Sequence, residues 1–179
     1  SKVQEAFGIT KSVIIANNTH FFKIGDLFQI LGHETLGALD KPAIQTALAI
    51  RQGIKTKGSV YVFAHSQGTA IFRRAMDLLT KEEIGKIHYL GVGPEWVVNS
   101  KADGLASAKN VWNRGDIVPF LGNWLAAPLN FALPFRVGRL FLNEVAFTTK
   151  RGTGSAHLFT NYIPEVRAWA REVSPTNND

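Results

Sequence analysis

Cysteine is absent from the 179 residues. Disulfides, thiolate chemistry and cysteine-ligated zinc are therefore excluded, while the compartment stays open, because a disulfide-free protein works on either side of a membrane. Histidine is scarce, at five residues. His20, His33 and His88 have no metal-ligand spacing, and His33-Glu34 lacks the second histidine of H-E-x-x-H, so no metal site is expected. Charged residues make up only 19% against 45% hydrophobic, a globular balance that confines disorder to a polar tail over Ser174 to Asp179. No internal repeat, low-complexity block or Pro/Gly/Ser-rich linker divides the sequence. The expectation is one domain over residues 1–179, long enough for a single substantial core. Unbroken apolar runs are missing too. The most apolar segment, Pro119 to Leu142, is interrupted by Pro128, Pro134, Arg136 and Arg139, which argues against a transmembrane helix. The chain starts at Ser1 without methionine or a signal-peptide pattern, so it reads as a processed product or a piece of a larger parent chain.

Acidic residues are outnumbered, 14 to 20, leaving a net charge of +6. That balance favours encounter with anionic surfaces, either phospholipid headgroups or nucleic acid. Lys55, Lys57, Arg73, Arg74, Lys81, Lys150 and Arg151 are scattered, without a basic helix or an aromatic nucleic-acid motif. They read as a solvated surface, and nucleic-acid binding is not expected.

What is present centres on Ala64-His65-Ser66-Gln67-Gly68-Thr69. The hexapeptide follows the β-branched, aromatic run Val60 to Phe63 and precedes the helical stripe Phe72, Ala75, Met76 and Leu79. Strand, tight turn and helix are the setting in which a serine is held exposed on a strained elbow. Small residues are required on either side, where the outgoing helix packs against the incoming strand; Gly68 and Ala64 meet that need. A serine hydroxyl needs a base, and the base an orienting carboxylate. Asp116 stands in the turn after the short apolar strand around Val111-Trp112, and His157 in a glycine-punctuated loop after the strand-like run Glu144 to Thr148. Both fall at expected carboxyl ends of strands, where open α/β sheets assemble their sites. Taken singly, each residue has an ordinary reading: a capping serine, a turn aspartate, a surface histidine. Arg114-Gly115-Asp116 is also an adhesion-type tripeptide by chance composition. The order and context together favour catalysis. His65, adjacent to the serine in the strand, is expected to point away and be structural.

Other elements complete the reading. Ser12 to Ala16 is a first strand, followed by Asn17, Asn18 and Thr19. Asp40 and Pro42 open a helix with the stripe Ile44, Ala47 and Leu48. Thr80 to Glu83 forms a capping box, Ile87 to Val92 a strand, and Pro164 opens a helix with Val166, Trp169, Ala170 and Val173 inward. Strands separated by helical stripes predict an α/β fold, a three-layer α/β/α sandwich on a mainly parallel sheet of about five strands with Val60 to Phe63 central.

On the elbow, the Asn113 to Pro119 segment with Asp-x-Val-Pro, and His157 followed by Phe159 and Tyr162, the chain resembles the α/β-hydrolase superfamily and its lipase-like serine esterases. The likeness spans about Val13 to Tyr162. Ala64 in place of glycine and the short length depart from the pattern, implying a trimmed sheet without a cap domain. The resemblance implies Ser66 as nucleophile, His157 as base and then acid, Asp116 as orienter, and no metal or organic cofactor. It also implies an oxyanion hole from the backbone N–H of Gln67 and of Asn18, with Thr19 as the alternative; Asn17 and Asn18 are equally turn formers. The segment 119–142, with Trp124, Leu125 and Phe131, would be a lid or acyl-chain wall, or else plain packing against the sheet or another subunit. The expected function is carboxylic-ester hydrolysis on a lipid or phospholipid at a membrane surface. Alternatives are a thioesterase or acyltransferase with the same triad, and a non-catalytic module that binds a membrane or partner protein. Compact lipase-like domains of secreted bacterial effectors and toxins are similar.

Overall fold

The computed structural model describes residues 40–116, 145–149 and 156–173. Within them, apolar β-branched and aromatic runs become four strands: β1 (Val60–His65), β2 (Ile87–Val92), β3 (Ser107–Asn113) and β4 (Val145–Thr148). They form one sheet in the order β1-β2-β3-β4, and every neighbouring pair is parallel. The class is thus α/β with a parallel sheet. The expected strand at 12–16, which would have made β1 central, lies outside the described residues, as do the tail from Ser174 and the segment 119–142. No described helix is long and apolar enough to cross a membrane.

Helix α1 (Asp40–Lys57) leads into β1, and α2 (Gly68–Met76) leaves it. The inward stripe of α1 differs from the expected one. Ala43, Ala47 and Ile50 are buried, whereas Ile44 and Leu48 are about half exposed, at 47% and 56%. Ala43 and Ala47 meet Ala75 of α2, and these small side chains let the two helices approach closely. On α2, six of nine residues are buried: Thr69, Ala70, Ile71, Phe72, Ala75 and Met76. Phe72 stacks on Tyr89 of β2, ring centroids 4.5 Å apart.

A short helix α3 (Lys81–Ile84) carries the expected capping box: Glu83 N–H donates to Thr80 Oγ1 and Thr80 N–H to the Glu83 carboxylate. Helix α4 (Ser100–Asp103) precedes β3 and ends at Gly104. After β4, a 3-10 turn (Phe159–Tyr162) runs into α5 (Ile163–Val173), whose Val166, Trp169 and Ala170 are buried as the periodicity predicts. The pleat divides β2 between two apolar clusters. Ile87 and Tyr89 pack with Ile50, Phe72 and Met76, while Leu90 and Val92 pack with Val111, Tyr162, Val166 and Trp169. Each such large apolar side chain contributes roughly 1.5–3 kcal/mol on burial. The second cluster is therefore ample to anchor the 3-10 turn and α5, and with them the loop that carries His157.

Candidate functional site

Because all four strands run the same way, their carboxyl ends share one edge, and the chain leaves that edge four times. β1 leaves through Ser66. Its amide donates to Val92 O at 3.2 Å, continuing the ladder, but its φ of +54° is the only left-handed value among the described non-glycine residues. A side chain in that region is strained by roughly 1–3 kcal/mol. The turn is held by Thr69, whose N–H and Oγ1–H both donate to Ser66 O at 3.0 and 2.8 Å. The same Oγ1 accepts from Trp96 N–H at 3.0 Å, tying the elbow to the loop after β2. Gln67 follows as the N-cap of α2, so Ser66 sits directly before the positive end of that helix dipole. The expected crowding at Gly68 is milder than supposed. A Cβ there would lie 3.9 Å from Ala64 Cβ, an ordinary contact, so the pair leaves room for one further methyl.

β3 leaves through a turn in which Asp116 N–H donates to Asn113 O at 2.8 Å, directing the buried Asp116 side chain inward. His157, 3% exposed, follows the segment after β4. Its Nδ1 lies 2.7 Å from Asp116 Oδ2 and its Nε2 lies 2.7 Å from Ser66 Oγ. A carboxylate only accepts, so Nδ1 carries the proton, and in the neutral ring Nε2 is left to accept from the Ser66 hydroxyl. Residues 66, 116 and 157 thus form one continuous hydrogen-bonded chain. Of the other expected site residues, Gln67 lies beside it, and Asn18, Trp124, Leu125 and Phe131 fall outside the described residues. Among the described residues, no three His, Asp or Glu side chains converge to hold a metal ion.

Three residues surround this chain: Gly93 escaped the sequence reading, His65 was expected to be structural, and Tyr162 was noted only as part of the resemblance. His65, expected to point away from Ser66 and be structural, stacks on His157 with ring centroids 5.0 Å apart, and its Nε2–H donates to His157 O at 3.0 Å. Burial, and secondarily the neighbouring His157, lower its pKa to about 4, so it is a neutral prop near pH 7. Gly93, just past β2, has φ +53°, and a Cβ built there would lie 2.9 Å from Asp116 Oδ2 and 3.1 Å from His157 Nδ1. Only a residue without a side chain lets the backbone pass behind that bond. Tyr162, fully buried, donates its hydroxyl to Asp116 Oδ2 at 2.6 Å and accepts from Asn113 N–H at 3.2 Å. Burial, and then the bond to Asp116, push its phenol well above the usual range. The signal for Gly93 was the Gly91-Val92-Gly93-Pro94 run at a strand end, and for Tyr162 its place five residues after His157.

The class that the fold defines is parallel α/β, with a Ser-His-Asp hydrogen-bonded chain at the carboxyl edge of the sheet, its His157 and Asp116 buried and its Ser66 partly exposed. Comparison with protein-family models, curated proteins and solved structures finds no match in any of the three.

Proposed function

We propose that the protein is a serine hydrolase of the α/β-hydrolase type, a three-layer sandwich of about five strands, that cleaves carboxylic esters of lipids or phospholipids. One observation carries the reading. Ser66, His157 and Asp116 are joined by two contacts of 2.7 Å, with the serine on a left-handed turn at a strand end. Ser66 Oγ attacks the ester carbonyl carbon while His157 Nε2 takes the hydroxyl proton. The tetrahedral oxyanion is held by the backbone N–H of Gln67, with Asn18 in the complementary role, and the N-terminus of α2 favours its charge. Collapse breaks the ester C–O bond, and the proton on Nε2 passes to the leaving alcohol oxygen. A water, deprotonated by the same nitrogen, then hydrolyses the acyl-Ser66 ester and restores the hydroxyl. The net charge of +6 and the apolar, arginine-rimmed segment 119–142 favour an interfacial lipid over a soluble ester.

The test pairs a fluorophosphonate probe with lipid profiling of mixed phospholipid vesicles. Wild type should label and deplete ester lipids. Ser66→Ala, His157→Ala and the double variant should each lose about the same activity, because the three groups act as a unit. A wild type that never labels with vesicles present returns the non-catalytic module, and additive losses would remove the triad.

A further inference from the structure

A carboxylate that orients a catalytic imidazole must itself be held, and its charge sets how strongly the imidazolium is stabilised. At Asp116 a single oxygen, Oδ2, receives two donors: His157 Nδ1–H at 2.7 Å and the Tyr162 hydroxyl at 2.6 Å. Both lengths are those of charge-assisted bonds. The phenol is fixed from the other side as well, because its oxygen accepts from the amide of Asn113, the last residue of β3. Its ring is fully buried with Leu90, Val92, Val111 and Val166. Tyr162 therefore cannot turn away from Asp116 without breaking that packing.

We propose that Tyr162 is a positioning residue of this site: its hydroxyl seats the Asp116 carboxylate against β3 and, by sharing Oδ2 with His157, moderates the negative charge that the imidazole feels. The proposal deepens the hydrolase reading and rests on it for the catalytic meaning of Asp116. Among the described residues, the ionisable groups facing the pair come from four elements. They are Asp116 after β3, His65 at the end of β1, His157 after β4, and Glu165 on α5, which accepts from Thr148 Oγ1 at 2.9 Å. His65 is neutral near pH 7 and Glu165 is engaged by Thr148, and removing the phenol changes the charge at Oδ2 without adding or deleting a formal charge.

Removing the hydroxyl concentrates charge on Oδ2, which favours the imidazolium and makes the base harder to free. The experiment compares wild type, Tyr162→Phe and protein with 3-fluorotyrosine at position 162, a nearly isosteric and stronger donor. Two readouts follow pH: the second-order rate of fluorophosphonate labelling, and the NMR titration of the His157 ring, assigned against His157→Gln. In Tyr162→Phe both the acid limb of labelling and the titration midpoint should move up by on the order of half a pH unit. In the fluorinated protein both should move down. Displacements of opposite sign are something a merely structural hydroxyl would not produce, since that role changes the melting temperature and leaves the midpoint alone. An unchanged midpoint in the folded variants overturns the proposal. Should Tyr162→Phe fail to fold, the fluorinated protein decides alone. If wild type does not label at all, the hydrolase reading falls, and the NMR midpoints still judge Tyr162.

Discussion

Gly93→Ala tests the packing of the site without replacing Ser66, Asp116 or His157. The added methyl carries two separable penalties. The first is the left-handed backbone, φ +53°, which costs a non-glycine residue roughly 1–2 kcal/mol. The second is collision, since the methyl carbon would stand 2.9 Å from Asp116 Oδ2 and 3.1 and 3.2 Å from Nδ1 and Cε1 of His157. Oδ2 and Nδ1 are the two ends of the 2.7 Å bond that orients His157, so relieving either contact pulls the bond apart. A hydrogen bond to a charged group contributes about 1.5–3 kcal/mol, which corresponds to about 10- to 100-fold in rate if it is lost from the transition state. Gly104→Ala supplies the control: φ is +78° there, yet a Cβ would meet nothing within 4 Å. At about 2–4 °C per kcal/mol for a chain of this length, Gly104→Ala should lower Tm by roughly 2–8 °C and leave fluorophosphonate labelling untouched. Gly93→Ala should lower Tm further and slow labelling about 10- to 100-fold. Labelling at the wild-type rate, or equal losses of Tm in the two variants with no change in rate, would refute the argument that Gly93 is reserved for the Asp116–His157 bond.

Two further outcomes follow from the surroundings of the elbow. His65 has a folded pKa of about 4 against an ordinary 6.5, so between those values the unfolded chain binds the extra proton. Its contribution to stability is complete above about pH 6.5, fades by about 1.4 kcal/mol per unit as pH falls towards 4, and totals about 3 kcal/mol; the melting curves of His65→Gln should show a correspondingly shallower acid slope, and parallel slopes would mean that His65 titrates normally. Thr69→Val preserves shape at a fully buried position and keeps the backbone bond to Ser66 O, but deletes the hydroxyl's bond to that oxygen and the acceptor for Trp96 N–H, so it should cost about 1–3 kcal/mol in chemical denaturation and slow labelling; an unchanged midpoint would show that the turn at Ser66 is held without the hydroxyl.

Strands were legible because alternating β-branched and aromatic runs stop at polar turns: the bounds of β2 coincide with the run Ile87 to Val92, and the capping box at Thr80 was plain from four letters. The face of α1 was not. Ile44 and Leu48 carry the strongest apolar signal, yet Ala43 and Ala47 face Ala75, because the gain from bringing two helices close outweighs the larger side chains' preference for burial and hydropathy gives alanine little weight. The site divides along the same line. Ser66, Asp116 and His157 could be proposed from residue type, order and position at strand ends, all of them local properties. What surrounds them is not local. Gly93 matters because a bond between residues 116 and 157 passes behind it, His65 because the base lies on its ring, and Tyr162 because the end of β3 and the acid both reach its hydroxyl. Each role exists only after β1, β2 and β3 have been laid side by side, which joins positions dozens of residues apart. In this chain the proposed reacting atoms are written in short motifs, whereas the parts that fix their distances belong to the sheet, and substitutions at those parts are where activity and stability should separate.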